Sequence, residues 1–334
     1  MRPRLILGIE SSCDDTAAAV LEDGRLKSNV VAGQSVHRAW GGVVPELASR
    51  AHQENIVPVV HAALEQAGIR PRDLSAIAFT QGPGLIGALL VGGSFARSMA
   101  QALGIPLLAV HHMEAHVLAH FIRDEIDRPA PSFPFLNLTV SGGHTLLVLV
   151  HGPLDMEVIG TTLDDAAGEA FDKGAKVMGL PYPGGPEVDR LARTGDAAKY
   201  PLPFPEVQGL NMSFSGIKVA FQRVVRNVST DQLPTELPHL CASLQEGILR
   251  VLLTRVRQAM RQHDLREVGC SGGVSANSAL RARLLALGER EGWVVHIPPP
   301  AYCTDNAAMI AMAGHFLLEA GRLATPADLP RARL

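Results

Sequence analysis

The chain has 334 residues, long for one core and enough for two packed α/β halves. Hydrophobic residues make up 47% and aromatics only 4%, so a large core of Ala, Val, Leu and Ile is available. The net charge of −3 excludes a generally basic, polyelectrolyte-binding domain; any nucleic acid would be met through a local patch or with a helper.

Cys13, Cys241, Cys270 and Cys303 are widely spaced and form no CxxC pair, which reads as reduced thiols in a cytosolic enzyme. The apolar run Leu5–Ile9 stops at Glu10, too short for a signal peptide, and no segment approaches membrane-spanning length. A soluble, cytoplasmic protein is expected.

In chain order, Leu5–Glu10 reads as a strand, Ser11-Ser12-Cys13-Asp14-Asp15 as a polar turn and Thr16–Leu21 as a returning strand, turned again at Glu22–Arg25. Such a hairpin can wrap a phosphate, and it is also a common hairpin without a ligand. Gly41–Glu46 is a glycine turn, and helical periodicity follows from Leu47 to Gly68. Leu74–Thr80 reads as a strand, Gln81-Gly82-Pro83-Gly84 as a glycine loop and Leu85–Leu103 as a helix whose Gly87, Gly92 and Gly93 imply close packing. The loop fits an anion site at a helix N-terminus and, equally, a tight strand-to-helix connection.

Ile105–Val110 is a further strand, leading into His111-His112-Met113-Glu114-Ala115-His116, with His120 beyond. On a helix, His112 and His116 share one face and can converge on an ion. The same spacing also suits surface or capping histidines on an ordinary amphipathic helix. Glu114 lies about 200° round the helix from His112, which is not the HExxH geometry of a zincin metalloprotease.

Pro129, Pro131 and Pro134 mark a boundary between halves. Beyond it, Leu136–Val140, Ser141-Gly142-Gly143-His144 and Thr145–Val150 repeat the opening pattern of strand, Ser-containing turn and Thr-led strand. A diverged duplication accounts for this, with a nucleotide expected in a cleft between the halves. Leu163–Lys173 reads as a helix capped by Asp164 or Asp165. Tyr182–Asp189 is a glycine turn opening a short helix, and Asn211–Lys218 a polar loop opening another. The long helix from about Pro238 to His263 carries Arg250, Arg255, Arg257 and Arg261, with Arg223 and Arg226 upstream; a solvated face is favoured over a nucleic-acid patch. Val268–Cys270 is a strand, Ser271–Asn277 a glycine loop, Ser278–Gly288 a helix and Val294–Ile297 a strand. Cys303-Thr304-Asp305-Asn306 precedes a last helix, Ala307–Ala320, and the remainder reads as a loosely held tail. The alternation is α/β, and in such sheets ligands sit beyond the carboxyl ends of strands.

Together, Gly8–Thr16, Gly41–Arg50, Gln81–Gly84, His111–His116, Val140–Thr145, Gly168–Lys173, Tyr182–Gly185, Ser271–Asn277 and Thr304–Asn306 closely resemble the motifs of the TsaD family (formerly Gcp or YgjD), the bacterial tRNA threonylcarbamoyladenosine transferases. The resemblance covers nearly the whole chain. Ser11 stands where Thr is more usual and Asp15 where Glu is more usual.

The resemblance implies an actin/Hsp70-like ATPase (ASKHA) fold: residues 1–129 with the last helix (about 305–322) as one half, 130–304 as the other with helical insertions, and 323–334 as a loose tail. It implies one divalent metal per subunit, Fe2+ in preference to Zn2+, on His112, His116 and Asp305. It places nucleotide and acyl contacts at Thr139, Val140, Ser141, Gly142, Gly143, Asp172, Gly185, Asp189 and Asn277. The glycine turns suit phosphate, and Asp172 and Asp189 suit ribose hydroxyls.

The implied reaction transfers threonylcarbamoyl from threonylcarbamoyl-AMP to the exocyclic amine of the adenosine 3′ of the anticodon, in tRNAs reading ANN codons. Asp14 or Asp15 is the candidate general base. His111 is expected near the acyl group or behind the ligands, and His120 to be structural. The implied partners are tRNA, a TsaB-type paralogue and a TsaE-type ATPase. The alternatives are a metalloprotease, a sugar kinase or Hsp70-like ATPase of the same fold, and a non-catalytic scaffold; retention of all three metal ligands argues against the last.

Overall fold

The computed structural model describes residues 3–33, 42–126 and 128–333. Gly41, in the expected turn before the first helix, lies outside them. The chain divides into two compact units, Met1–Ala130 with Thr304–Leu334, and Pro131–Cys303.

The first unit holds strands β1 (Leu5–Glu10), β2 (Thr16–Glu22), β3 (Arg25–Ala32), β4 (Ala76–Gly82) and β5 (Leu107–His111), in the order β3-β2-β1-β4-β5. β1–β2–β3 is an antiparallel meander, and β4 and β5 add in parallel. Alternation of side chains sorts β1 between two layers. Leu5, Leu7 and Ile9 pack with Ile56, Val59 and Val60 of helix α1 (Pro45–Ala67) and with Ala96 and Ala100 of α2 (Ile86–Leu103).

On the other face, the last helix, Ala307–Glu319, is buried continuously from Ala307 to Gly314. Its backbone lies so close to β1 that a Cβ at Gly8 would strike the Ala307 carbonyl and Ala311. This contact carries Asp305, two residues upstream of the helix, to the end of β1. A short helix, α3 (His112–Leu118), follows β5 directly.

The second unit repeats the topology. β6 (Phe135–Val140), β7 (Thr145–Gly152), β8 (Asp155–Thr161), β9 (Glu267–Ser271) and β10 (Val294–His296) run in the order β10-β9-β6-β7-β8, with antiparallel β6–β7–β8 and parallel β9 and β10. The duplication expected from the two Thr-led hairpins is therefore present in both sheets. Helices α4 (Ala167–Val177), α5 (Gly184–Ala192), α6 (Ser215–Arg226), α7 (Leu233–Gln262) and α8 (Ser278–Glu291) follow; Pro300–Cys303 is α9 and the last helix is α10. Phe171, Phe214 and Phe221 fill the second core with Leu136, Leu138 and Val140.

Three details differ from expectation. Helix α4 starts at Ala167, with Ala166 as its uncapped N-cap. Asp164 instead accepts from Phe214 N at 2.7 Å and from the Ser213 and Ser215 hydroxyls, fastening the start of α6. Asp165 pairs with Lys173 and Lys218 at 2.7 and 2.6 Å. The final stretch is also not loose. Ala324 N donates to Leu107 O at 2.8 Å and Arg331 N to Gln81 O at 2.7 Å, while Ala332 O accepts from Gly84 N at 3.3 Å.

The basic face of α7 is mostly spent internally. Arg250 and Arg255 donate to the Leu202 and Val207 carbonyls, and Arg257 and Arg261 pair with Glu291. All four cysteines are free, and no helix among the described residues is long and apolar enough to cross a membrane.

Candidate metal centre and nucleotide turns

Helix α3 begins where β5 ends, so its first turn sits at the carboxyl edge of the first sheet. His111 caps it by accepting from Met113 N at 3.2 Å. His112 and His116 project from one face. Asp305 reaches them because Asn306 caps α10, accepting from Met309 N at 3.1 Å.

His112 Nε2 and His116 Nε2 stand 3.5 and 3.2 Å from Asp305 Oδ1, and all three ligand atoms lie within 4.8 Å of one another. Two ligands bound at about 2.1 Å in tetrahedral geometry would be about 3.4 Å apart. The spacing therefore fits one ion. The His112 side chain is 8% exposed, that of His116 0% and that of Asp305 27%, which leaves the carboxylate side open to a further ligand.

Behind His112 stands Glu10, fully buried at the end of β1. His112 Nδ1 donates to Glu10 Oε2 at 3.0 Å, and Thr80 Oγ1 donates to the same oxygen at 2.7 Å. The Ser12 amide closes on the other carboxylate oxygen. Burial alone would lower the basicity of His112, but Glu10 and Asp305 outweigh it and hold the imidazole at about 10. Burial would raise both carboxyls; His112, and for Asp305 also His116, hold them below the ordinary range. One buried and one partly exposed carboxylate around one protonated imidazole leave an excess negative charge, the electrostatic complement of a divalent cation. His116 lacks an equivalent brace: its Nδ1 is buried without a partner among the described residues.

The Ser11–Asp15 turn overhangs this centre. His52 of α1 holds it, bonding Thr16 Oγ1 through Nδ1 at 2.7 Å and the Cys13 carbonyl through Nε2 at 3.0 Å. Glycines let α2 approach, since a Cβ at Gly84 or Gly92 would strike Ser12 or Ser11. Leu85 N donates to Ser12 O at 2.8 Å and Gly84 N to Ala332 O, so the amides of Gly84 and Leu85, which lead into α2, are used within the protein. That loop is a tight connection. Burial, then Asp14, Asp305 and Glu10, raise the Asp15 carboxyl to about 7.

In the second unit the residues singled out for nucleotide contact form a closed circuit. Gly168 of α4 lies against Ser141 O, where a Cβ would collide. One turn along α4, Asp172 Oδ1 accepts from Gly184 N and Gly185 N at 2.8 and 3.2 Å. Burial raises this carboxyl and the two amides pull it back. Asp189 of α5 accepts from Ser278 Oγ and N at 2.8 and 3.2 Å. Asn277 caps α8 by accepting from Leu280 N at 2.9 Å, and donates to Gln245 at 2.7 Å. Gly272, at φ +87°, brings its loop back against the Val140 carbonyl, where only glycine fits.

Thr139 is fully buried and accepts from Asn137 at 2.8 Å. Gly142 and Gly143 are exposed, their amides have no acceptor among the described residues, and a Cβ at either would meet nothing. They are the open amides of the circuit, suited to an anion. The oxygens of Asp189, expected on ribose, are taken by Ser278.

His52 was not anticipated as part of these sites, and Glu10 and Gly168, although inside the motifs quoted from the sequence, were given no role there. Glu10 ends an apolar strand, and a buried acid there was the available signal.

The family model for "TsaD: tRNA N6-adenosine threonylcarbamoyltransferase" matches residues 25–312. A tRNA N6-adenosine threonylcarbamoyltransferase of Porphyromonas gingivalis is 54% identical over 316 residues, 93% of each chain. Among solved structures, T. kodakarensis HypF superposes with a TM-score of 0.63 at 15% identity, over 99% of this chain and 49% of that one. The ROK hexokinase of Thermus thermophilus gives 0.54 at 17% identity, over 95% and 100%. These two likenesses concern the fold alone, the actin-like ATPase fold.

Proposed function

We propose how this chain works from one premise: it belongs to the tRNA N6-adenosine threonylcarbamoyltransferase family. It transfers a threonylcarbamoyl group to N6 of an adenosine in tRNA. The finer account is that the donor is threonylcarbamoyl-AMP and the acceptor is the adenosine 3′ of the anticodon in tRNAs reading ANN codons. A single-stranded loop base suits a reaction on an exocyclic amine, which a duplex would bury.

The reaction is acyl transfer from a mixed anhydride. The amine nitrogen bonds to the carbamoyl carbon, the bond from that carbon to the phosphate oxygen breaks, and AMP leaves with the electron pair. The acceptor amine gives up its proton to a base. Asp15 suits that task better than an ordinary aspartate, because a carboxyl raised to about 7 holds a proton more firmly once taken. Asp14 is the alternative on the same turn. The amides of Gly142 and Gly143 would receive the adenylate phosphate, and Asp172 would hold the Gly184–Gly185 turn against the nucleotide.

His112, His116 and Asp305 would hold one divalent metal. Two imidazoles and a carboxylate favour Fe2+, with Zn2+ as the alternative. Bound, the metal supplies a Lewis acid for the donor's oxygens. Glu10 keeps Nε2 of His112 free by holding the proton on Nδ1.

The observation that carries this account is the meeting of His112, His116 and Asp305, from opposite ends of the unit's sequence, at the spacing one ion requires. A zincin metalloprotease would need its glutamate directly after the first histidine, and here Met113 stands there, with Glu114 about 200° round the helix from His112. The fold is shared with a sugar kinase, so the ligand set is what argues for the transferase. The site of action is the cytoplasm, with a TsaB-type paralogue and a TsaE-type ATPase as partners; the net charge of −3 is a reason to expect help in holding tRNA. Transfer of label from threonylcarbamoyl-AMP to unmodified tRNA, with and without those partners, tests the account; a chain inactive in both settings would contradict it.

A further inference from the structure

The final stretch, 324–333, crosses the first unit as a strap. It leaves α10, bonds to Leu107 through Ala324, and turns at Thr325–Asp328, where Asp328 Oδ2 accepts from Thr325 N and Oγ1 at 2.7 and 2.8 Å. Arg97 of α2 donates to Asp328 O at 3.0 Å, and Gln81 Nε2 to Leu329 O at 3.2 Å. Pro330 packs on Gly93, where a Cβ would meet its ring. Arg331 N and Ala332 O then bond to Gln81 O and Gly84 N, on either side of Pro83. Seven hydrogen bonds to the body or within the turn would be excessive for a stretch that only ends a helix.

The place where it is fastened matters. Gly84 packs on Ser12, Leu85 N bonds to Ser12 O, and Ser12 Oγ is 3.4 Å from His112 Nδ1. The strap's last residues therefore lie one loop away from the metal centre. They read Arg331-Ala332-Arg333, all exposed. Neither arginine has a carboxylate within ion-pair distance among the described residues, a state shared with exposed Arg50, Arg72, Arg223, Arg226 and Arg266, so it is the strap's place beside the Ser12 turn that sets these two apart. The two cations are two residues apart on a fixed backbone, so both are presented without the entropy of a free tail.

We propose that this strap is a phosphate-contacting arm for tRNA, with Arg331 and Arg333 on the backbone of the loop that enters the centre. It rests on the tRNA-transferase assignment and adds a docking element to it. A chain of net charge −3 has to concentrate its cations where the polyanion arrives. Guanidinium groups suit phosphate through paired N–H donors.

The test is binding of unmodified tRNA to the full chain at salt concentrations from about 50 to 200 mM. R331A/R333A is expected to lower the slope of log affinity against log salt by roughly 0.7–0.9 per arginine and to weaken binding roughly 10-fold. R331K/R333K should keep most of the slope, because charge carries it. Metal content and thermal midpoint should stay at wild-type values in both variants, since neither side chain bonds to the body. An R331A/R333A slope equal to wild type would overturn the arm while leaving the transferase reading intact. A wild-type chain without salt-dependent tRNA affinity would overturn the arm alone, since the transferase reading is tested separately by label transfer with the partners present.

Discussion

His112 donates its Nδ1 proton to Glu10 Oε2 at 3.0 Å, inside a core where Glu10 has no exposed surface. An ionised carboxylate only accepts, so this bond keeps the proton on Nδ1, and when the imidazole gives up its second proton to a metal it is Nε2 that becomes the ligand atom. Glu10→Gln keeps the side chain's size and removes its charge. The expected result is a metal affinity weaker by roughly 10–100-fold, measured by competition with a chelator. The metal-free variant should melt lower than metal-free wild type, because the buried His112 loses its charged partner. Undiminished metal affinity would show that Glu10 is only a packing group.

Asp15 should leave its mark on pH dependence. Its carboxyl is raised to about 7 by burial, then by Asp14, Asp305 and Glu10. As a base it works only when ionised, so transfer should rise with pH through about 7 and level off; Asp15→Asn should abolish that limb. The stability sign is opposite. From the ordinary carboxylate range up to about 7, the folded chain holds a proton that the unfolded chain has released, so this group's stabilising contribution is lost as pH rises through that window. Denaturant midpoints of wild type and Asp15→Asn should therefore converge differently at about pH 5 and about pH 8, with wild type losing more on the basic side. Parallel pH curves for the two proteins would contradict the assignment.

Gly168 and Gly143 make a matched pair. A methyl at 168 enters the Ser141 carbonyl, whereas a methyl at 143 enters open space. Gly168→Ala should cost about 1–3 kcal/mol in thermal or denaturant unfolding and weaken AMP binding by calorimetry, because the open amides of the turn are displaced. Gly143→Ala should unfold like wild type. Equal stability of the two variants would mean that α4 does not brace the turn.

Arg257 and Arg261 predict a null effect. Both are tied to Glu291 at the surface. Replacing both by Ala should change stability by no more than about 0.5 kcal/mol and leave tRNA affinity unchanged. A marked loss of tRNA affinity would move the nucleic-acid surface to α7.

The duplicated hairpins, the helix over 45–67, the glycine-rich helix and the histidine helix were all legible, because each has strong apolar periodicity or a sharp turn signal. Strands β3 and β8 were not named. Both are sheet edges with half-exposed, polar sequences, RLKSNVVA and DMEVIGT, and little of the apolar run that marks a central strand. Asp164 looked like a local cap but serves a helix some fifty residues on, through Phe214 and Ser215. Glu10 was hidden at the end of an apolar run, and its partner His112 is 102 residues away. The strap was missed for a similar reason: proline and small residues suggest a loose end, whereas backbone bonds to Gln81 and Gly84 fix it. His112 and His116 could be paired by spacing, while Asp305 came only from the family resemblance.

The most direct measurement is metal content and threonylcarbamoyl transfer assayed on the same preparation of His116→Ala. His116 supplies Nε2 at 3.2 Å from Asp305, and nothing else among the described residues replaces it. Both bound metal and transfer to tRNA are expected to fall to background, with the fold retained. Normal transfer by a metal-free His116→Ala protein would contradict the metal centre's part in the reaction.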